Sequence, residues 1–234
     1  MTQFDSNIDL KFQGVVDDAL KNKQEIKILE AGCGSMSHVN FKQSKYVVGI
    51  DISEKQLVRN KYLNERVVGD IQEHLFPQES FDAIVCWDVF EHLSEPEKAI
   101  DKFINCIKRD GIIILKLPNV ASVKGLVTKY TPHWFHVLWY RYVYGRKIAI
   151  NEDKGPFKTY LRKSISPNRL KQFADREGLD VILFETFEGS FLKNRSMVAY
   201  SVYRIVRSIT DVVSLGKLGD AEFLLVLKNR NRLS

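Results

Sequence analysis

Residues 26–34 read Ile-Lys-Ile-Leu-Glu-Ala-Gly-Cys-Gly and combine an apolar run with an acid and two closely spaced glycines. Glycines let a chain turn tightly and approach a ligand closely, because no Cβ is in the way. Glu30, directly before the turn, would repel a pyrophosphate but attract a positively charged ligand. Serine occupies position 37, the third small position of the dinucleotide-binding pattern. This combination predicts a site for a cationic ligand that lacks phosphate.

Two more acids follow the next two apolar runs. Asp51 lies 19 residues after Gly32, the spacing expected across one βαβ unit, and a carboxylate there can accept hydrogen bonds from ribose hydroxyls. Asp70 follows the run Val67-Val68-Gly69. The carboxyl ends of parallel strands meet at one edge of a sheet, so the three acids should face one crevice. The ligand that fits them best is S-adenosylmethionine, and NAD(P) in an oxidoreductase is the alternative.

The scaffold that positions these acids is predicted from hydrophobic periodicity. Short apolar runs typical of strands buried on both faces occur at residues 26–31, 46–50, 66–68, 81–87, 112–117, 179–184 and 222–227. A leading helix is expected over residues 8–21 and helical segments between the strands. The pattern predicts a doubly wound, Rossmann-like α/β fold in a single domain spanning residues 1–234.

Capping signals place the ends of several helices. Ser53 with Gln56, and Ser94 with Glu97, have the spacing of capping boxes that begin helices. Gly111 and Gly178 stand where helices are expected to end.

Residues 25–120 resemble the class I S-adenosylmethionine-dependent methyltransferases. Glu30-Ala-Gly-Cys-Gly34 is similar to the first motif of that family, and Asp51 to its ribose-binding acid. Asp70-Ile71 resembles its adenine-contacting pair. The segments 81–93 and 111–119 resemble its fourth-strand and fifth-strand motifs, and the Glu-His-Leu ending at position 93 is common in quinone-biosynthetic and other small-molecule O-methyltransferases. Met36 departs from the pattern, because many members have glycine there.

The resemblance implies S-adenosylmethionine as cofactor and a seven-stranded, mostly parallel sheet whose last strand is antiparallel. It also implies that the cofactor is bound by Glu30, Gly32, Cys33, Gly34, Asp51, Ile52, Asp70, Ile71 and Trp87.

The acceptor side is expected in the second half of the chain. The insert at residues 121–165 follows strand 5 and holds 9 of the 26 aromatic residues together with many Lys and Arg residues. It is interpreted as a lid over the acceptor or as a plain cap on the cofactor. Candidate general bases are His92 and His133, and candidate acceptor-lining residues are Tyr130, His136, Tyr160 and Arg162. No metal site is predicted, because the neighbours Glu91 and His92 point in different directions on a regular element.

Charge is distributed unevenly along the 234 residues, whose formal net charge is +6. Residues 1–117 hold 15 basic and 19 acidic side chains, whereas residues 118–234 hold 20 basic and 10 acidic ones. A helical insert is predicted at residues 188–219, between strands 6 and 7, and its arginines flank an apolar stripe. This half is suited to an acceptor or to an anionic membrane surface. Nucleic acid is disfavoured, because Trp87-Asp88-Val89 differs from the Asn/Asp-Pro-Pro-Tyr/Phe motif of amino-methylating nucleic-acid enzymes.

The remaining composition bounds the class of protein. Three cysteines at unrelated spacings argue against a disulfide framework or a zinc site, and no secretory signal is visible. The predicted location is the cytoplasm, with peripheral attachment to the inner membrane face as a further hypothesis; the oligomeric state is not indicated.

The leading hypothesis is an enzyme that moves a methyl group from S-adenosylmethionine to a hydroxyl of a small or lipid- or sugar-linked acceptor. The competing hypotheses are an NAD(P)-dependent oxidoreductase and a non-catalytic module that retains the methyltransferase fold.

Overall fold

The computed structural model describes residues 6–122, 159–160, 162–188, 201, 204–205, 207–209 and 219–229. Its seven strands form one sheet: β1 (Glu25–Ala31), β2 (Ser44–Asp51), β3 (Glu65–Val68), β4 (Phe81–Trp87), β5 (Ile107–Pro118), β6 (Leu179–Phe187) and β7 (Glu222–Asn229). The strand order is β3-β2-β1-β4-β5-β7-β6. The first five strands run parallel, and β7 is antiparallel to both β5 and β6. The predicted α/β fold with an antiparallel last strand is confirmed.

Helices cover both faces of the sheet and bury two apolar cores. The bounded helices are α1 (Ser6–Leu20), α2 (Glu54–Arg59), α3 (Pro96–Cys106) and α4 (Pro167–Arg176), with short 3-10 turns at Phe90–His92 and Lys163–Ile165. α1 and α2 pack into one core and α3 and α4 into the other. In α1 the buried residues Phe12, Val16 and Leu20 are four positions apart, so they form one stripe on the helix. Every residue of β4 is buried, as expected for a central parallel strand.

Two of the predicted crossover helices do not form. Residues 32–43, between β1 and β2, and residues 69–80, between β3 and β4, contain no helix. In the first connection Val39 and Phe41 are both buried in the α1-side core. Alternating burial holds this segment in an extended path, because side chains two residues apart point the same way only in extended chain. Tertiary packing thus overrides the helical expectation there.

The capping predictions are confirmed at two positions. The hydroxyl of Ser53 accepts a hydrogen bond from the backbone N–H of Gln56 and caps α2. Gly178 follows the end of α4 with φ +71°, a conformation that suits glycine after a helix.

The capping predictions are wrong at the other two positions. α3 has Glu95 as its N-cap and Pro96 as its first residue, because the Ser94 hydroxyl is hydrogen-bonded to Gln72 instead. Gly111 lies inside β5, since α3 ends at Cys106.

The helical insert predicted at residues 188–219 is described in part. Ser201, Arg204–Ile205 and Arg207–Ile209 are helical. In the described part of the chain, no helix has both the length and the apolar character needed to cross a bilayer.

Candidate functional site

The glycine turn after β1 lies at the carboxyl edge of the sheet. The N–H groups of Gly32 and Cys33 both donate to the carbonyl of Ile50, at 2.8 and 3.2 Å. Gly32 and Gly34 adopt φ values of +67° and +53°, which favour glycine. A Cβ on Gly32 would lie 2.5 Å from a γ-methyl of Val89. The turn therefore packs directly on the segment that follows β4.

Asp51 joins this turn to the start of α2. Its Oδ2 accepts the N–H of Gly34 at 2.8 Å, and its Oδ1 accepts the N–H of Ser53 at 2.9 Å. Each carboxylate oxygen can accept one further hydrogen bond, so Asp51 can hold the loop and still receive ribose hydroxyls. Ile52 beside it is 75% exposed and offers an apolar surface to an adenine ring.

Asp70 lies after β3 and is held by a residue that sequence reasoning missed. The side-chain amide of Gln72 donates to both carboxylate oxygens at 3.0 Å, and the N–H of Gln72 donates to Oδ1. The Gln72 Oε1 accepts the N–H of Glu95 at 2.8 Å and thereby caps α3. Ile71, predicted to contact adenine with Asp70, is buried in the apolar core.

Glu30 is a buried carboxyl group at the end of β1. It is 5% exposed, and its Oε2 accepts the hydroxyl of Ser37 at 2.7 Å. Burial raises its pKa from 4.5 to about 6, although Ser37 and Lys45 oppose the shift. The carboxyl lines a cavity of about 210 Å³ whose walls also include Ser37, His38, Asn40, Phe41, Lys45 and Tyr62. A cation near Glu30 would restore the ionised form that burial disfavours.

Cys33 and Trp87, both predicted to bind the cofactor, are mainly packed into the protein. Burial, with the charges of Asp51 and Glu30, raises the pKa of the Cys33 thiol to about 12, so the group is a neutral thiol. The Trp87 indole is 6% exposed and stacks on the ring of His38 at 5.4 Å. Both residues therefore contribute to the packing that supports the site.

A set of four charged side chains lies where β4, β5 and β7 meet, and the sequence analysis considered only one of them, Glu91. Lys116 of β5 is 6% exposed, and its Nζ lies 2.6 Å from Asp88 Oδ1 and 2.6 Å from Glu222 Oε2. Glu91 is buried beside them, and burial followed by the charge of Asp88 raises its pKa to about 8. We call Asp88, Glu91, Lys116 and Glu222 the Lys116 cluster. A sequence signal existed for Lys116, a charged residue in the otherwise apolar stretch at residues 111–118 of β5.

The structure brings three of the predicted acceptor-side residues together. Tyr160 donates its backbone N–H to the carbonyl of Glu91 at 2.7 Å. Arg162 donates from Nε to the carbonyl of Ser94 at 3.1 Å. The imidazole Nε2 of His92 lies 3.9 Å from Glu91 Oε1. Tyr130, His133 and His136 lie outside the described residues.

The donor set of the carboxyl edge fits S-adenosylmethionine. Carboxyl groups follow or end three successive strands, β1, β2 and β3, and an exposed apolar side chain stands beside the middle one. Such a set suits a cationic nucleoside with ribose hydroxyls and no phosphate. Glu30, Asp51 and Asp70 would hold the positive end, the ribose and the adenine side respectively. Among the described residues, no group of three His, Cys, Asp or Glu side chains is arranged to hold a metal ion.

Comparison with known proteins gives a family match. The family described as "Methyltransferase domain" matches residues 4–183. The chain is 28% identical over 110 residues to the tRNA (carboxymethyluridine(34)-5-O)-methyltransferase of Arabidopsis thaliana, covering 45% of this chain and 27% of that protein. It is 29% identical over 107 residues to the ubiquinone biosynthesis O-methyltransferase of Glaesserella parasuis, covering 40% of this chain and 45% of the relative. The chain thus spans less than half the length of these curated relatives.

A solved structure shows the same fold. The S-adenosylmethionine-dependent methyltransferase from Archaeoglobus fulgidus is 16% identical, with a TM-score of 0.54, and the match covers 96% of this chain and all of that one. The family match covers well over half of the chain, and the strand order and glycine turn agree with it. The chain therefore belongs to the methyltransferase domain family and has the class I fold of enzymes whose cofactor is S-adenosylmethionine.

Proposed function

We propose that this protein transfers a methyl group from S-adenosylmethionine to a hydroxyl oxygen of a small or lipid- or sugar-linked acceptor. The observation that carries the proposal is the adjacency of two sets of groups at the carboxyl edge. The candidate cofactor acids lie at the carboxyl ends of β1 and β2 and just after β3, and the groups able to receive a proton, Asp88 and His92, follow β4. A hydroxyl acceptor requires such groups, because it must lose a proton as it is methylated. Both curated relatives described above carry names that specify O-methylation.

The chemistry is a displacement at carbon that depends mostly on alignment. Bound S-adenosylmethionine supplies an electrophilic methyl group on a positively charged sulfur. The acceptor oxygen forms a bond to that carbon, the carbon–sulfur bond breaks, and its electron pair stays on sulfur in the demethylated product. The acceptor proton goes to a base, for which His92 is our candidate within the described chain; His133 is the alternative.

The chain's own residues set this geometry. The turn at Gly32 packs on Val89 and so brings the cofactor strand and the acceptor-side segment together. Asp51 fixes the turn to α2 through Gly34 and Ser53. The candidate base, His92, is the last residue of the 3-10 turn Phe90–His92 and follows Val89 by three residues.

The direct test is product formation from a library of hydroxyl compounds. The library would contain phenols, alcohols, and lipid- and sugar-linked alcohols, with S-adenosylhomocysteine as the readout. We expect turnover with at least one hydroxyl class, and calorimetric binding of both S-adenosylmethionine and S-adenosylhomocysteine. Cofactor binding without turnover on any compound of the library would favour a non-catalytic module.

The variant Asp51→Ala should bind S-adenosylmethionine roughly 100-fold more weakly, since it removes ribose contacts and frees the turn. The matched control is Asp175→Ala, an exposed aspartate of α4.

Glu30 predicts a pH dependence of cofactor affinity. Its carboxyl has a pKa of about 6 in the free protein, and a cationic ligand binds the ionised form better. We expect affinity for S-adenosylmethionine to be constant above about pH 7 and to fall below pH 6 by up to about tenfold per pH unit. Binding near pH 6 should release protons, because the ligand lowers the pKa of Glu30. In Glu30→Gln the affinity should be weaker at pH 7.5 and nearly flat from pH 7.5 to 5.5. An unchanged slope in that variant would contradict this assignment.

Peripheral attachment to anionic membrane is proposed for the helical insert. Ile205 and Ile209, one helical turn apart, are 61% and 58% exposed beside the exposed Arg204. An exposed apolar pair with a neighbouring cation suits a lipid interface. We expect sedimentation with anionic liposomes at low salt, reduced in the Ile205→Ser/Ile209→Ser double variant. The matched control is Leu10→Ser, which removes an exposed apolar residue of α1. Protein that stays in the supernatant would contradict the attachment.

A further inference from the structure

The Lys116 cluster contains a buried ammonium held between two carboxylates. The Nζ of Lys116 lies 2.6 Å from Asp88 and 2.6 Å from Glu222, and its side chain is 7% exposed. Burial by itself would lower the pKa of Lys116, but the charges of Asp88 and Glu222 and their hydrogen bonds outweigh it and hold the pKa above its ordinary value. Lys116 therefore stays charged between its two partners.

Glu91 behaves differently from the other two acids of the cluster. Its pKa of about 8 keeps the carboxyl protonated near neutral pH, chiefly because the group is buried and because Asp88 is close. Its Oε2 is buried and has no hydrogen-bond partner among the described residues. With Glu91 neutral, the formal charges of the cluster are one positive, from Lys116, and two negative, from its ion-pair partners Asp88 and Glu222. The surplus is one negative charge.

Asp88 is the member of the cluster that reaches open space. Its side chain is 42% exposed, whereas those of Lys116 and Glu222 are 7% and 13% exposed. It adopts φ +54°, a conformation that non-glycine residues rarely adopt. Its N–H donates to the carbonyl of Lys116 at 3.0 Å. The backbone and the side chain of Asp88 both bind Lys116 of β5. The next residue, Val89, packs on the glycine turn.

We propose that Asp88, held by the positioning residues Lys116 and Glu222, is a specificity-determining residue of the acceptor site that selects uncharged hydroxyl acceptors over carboxylate-bearing ones. A buried lysine would ordinarily attract anionic acceptors. Here the Lys116 ammonium is paired with two carboxylates, and the exposed one, Asp88, covers it. An approaching hydroxyl can donate a hydrogen bond to the Asp88 carboxylate, whereas an approaching carboxylate meets a like charge. The inference rests on the proposed function, since it concerns the acceptor of that same reaction.

The test measures binding of an anionic aromatic probe and does not depend on knowing the acceptor. Fluorine NMR would follow 4-fluorobenzoate in the presence of S-adenosylhomocysteine. The variant Asp88→Asn removes the exposed partner of Lys116 and raises the cluster charge from −1 to neutral. We expect 4-fluorobenzoate to bind this variant at least about tenfold tighter than wild type. Adding Lys116→Met to Asp88→Asn should abolish the gain, which a purely structural cluster would not predict.

A matched control and a second variant make the outcome decisive. Asp110→Asn makes the same substitution at another aspartate with positive φ, +58°, and should leave probe binding unchanged. If Asp88→Asn does not fold, Glu222→Gln changes the charge of the cluster equally and should act in the same direction.

Probe binding that is equal in wild type and variant, or absent from both, would overturn the proposal. A selective loss of S-adenosylhomocysteine binding in Asp88→Asn would also overturn it, because Asp88 would then serve the cofactor. Failure of methyl transfer in the hydroxyl library is a separate result and bears on the proposed function.

Discussion

Replacing Gly32 by alanine is expected to lower the affinity for S-adenosylhomocysteine by at least about 100-fold while the chain still folds. The new Cβ would lie 2.5 and 2.7 Å from the two γ-methyl groups of Val89, far inside van der Waals contact. Alanine would also have to adopt φ +67°, at a cost of about 1 kcal/mol. Either the turn or the segment after β4 must move, and both border the site. Calorimetry with S-adenosylhomocysteine measures the loss, and thermal unfolding checks the fold.

The variant Gly178→Ala is a control that separates the conformational cost of a positive φ from the steric collision with Val89. Gly178 has φ +71°, yet a Cβ there would meet nothing within 4 Å. This control should lose about 1 kcal/mol of stability and keep its cofactor affinity. Adding Val89→Ala to Gly32→Ala should restore part of the affinity, because the colliding methyl groups are gone. Normal cofactor binding by Gly32→Ala would show that the turn does not need this close approach.

Asp82→Asn is expected to destabilise the fold by about 3 kcal/mol. Asp82 is buried in β4 and binds three groups at the edge of the sheet opposite the site: Lys23 Nζ at 2.6 Å, Lys108 Nζ at 2.8 Å and the N–H of Lys27 at 2.9 Å. A bulge in β5, where Phe81 pairs with Ile107 and Ala83 with Ile112, lets Lys108 reach the carboxylate. An asparagine would leave both ammonium groups without their counter-charge. A fall in melting temperature of roughly 6–12 °C should follow for a domain of this size.

The stabilisation by Asp82 should depend on pH in a definite direction. Burial alone would raise the pKa of Asp82, but hydrogen bonds from Lys108 and Lys23 outweigh burial and lower it in the folded protein. The stabilisation is therefore complete above the ordinary aspartate pKa and is lost as the pH falls through the lowered folded value. Wild type and Asp82→Asn should differ fully at pH 7 and converge in strong acid. Asp18→Asn, which breaks the exposed pair with Lys21, should leave the stability nearly unchanged; equal losses in the two variants would contradict the argument.

The position of the candidate cofactor acids at one edge of the sheet was predictable from the sequence. Glu30, Asp51 and Asp70 follow or end apolar runs, and the topology of parallel strands brings such positions to one edge whatever the details of packing. The role of Gln72 was not predictable. Its amide holds Asp70 and also caps α3, and no local pattern encodes a partner 23 residues away.

The predicted acceptor side of the site was less predictable from the sequence. The sequence analysis chose His92 by its position after β4 but passed over the Lys116 cluster. Asp88, Lys116 and Glu222 are separated by up to 134 residues in the chain and meet only because β5 pairs with both β4 and β7. Long-range strand pairing of this kind leaves no spacing signal in a single sequence.

Sequence alone determined the fold class and the order of most elements, and it indicated Glu30, Asp51 and Asp70 as candidate cofactor acids, because continuous apolar runs, glycine turns and strand ends are local properties. The tertiary structure decided which connections form helices, as at Val39 and Phe41, where core packing holds an extended chain. It also decided the charges of the Lys116 cluster. There burial neutralises Glu91 while two carboxylates keep Lys116 charged, and burial and pairing exist only once distant strands have met.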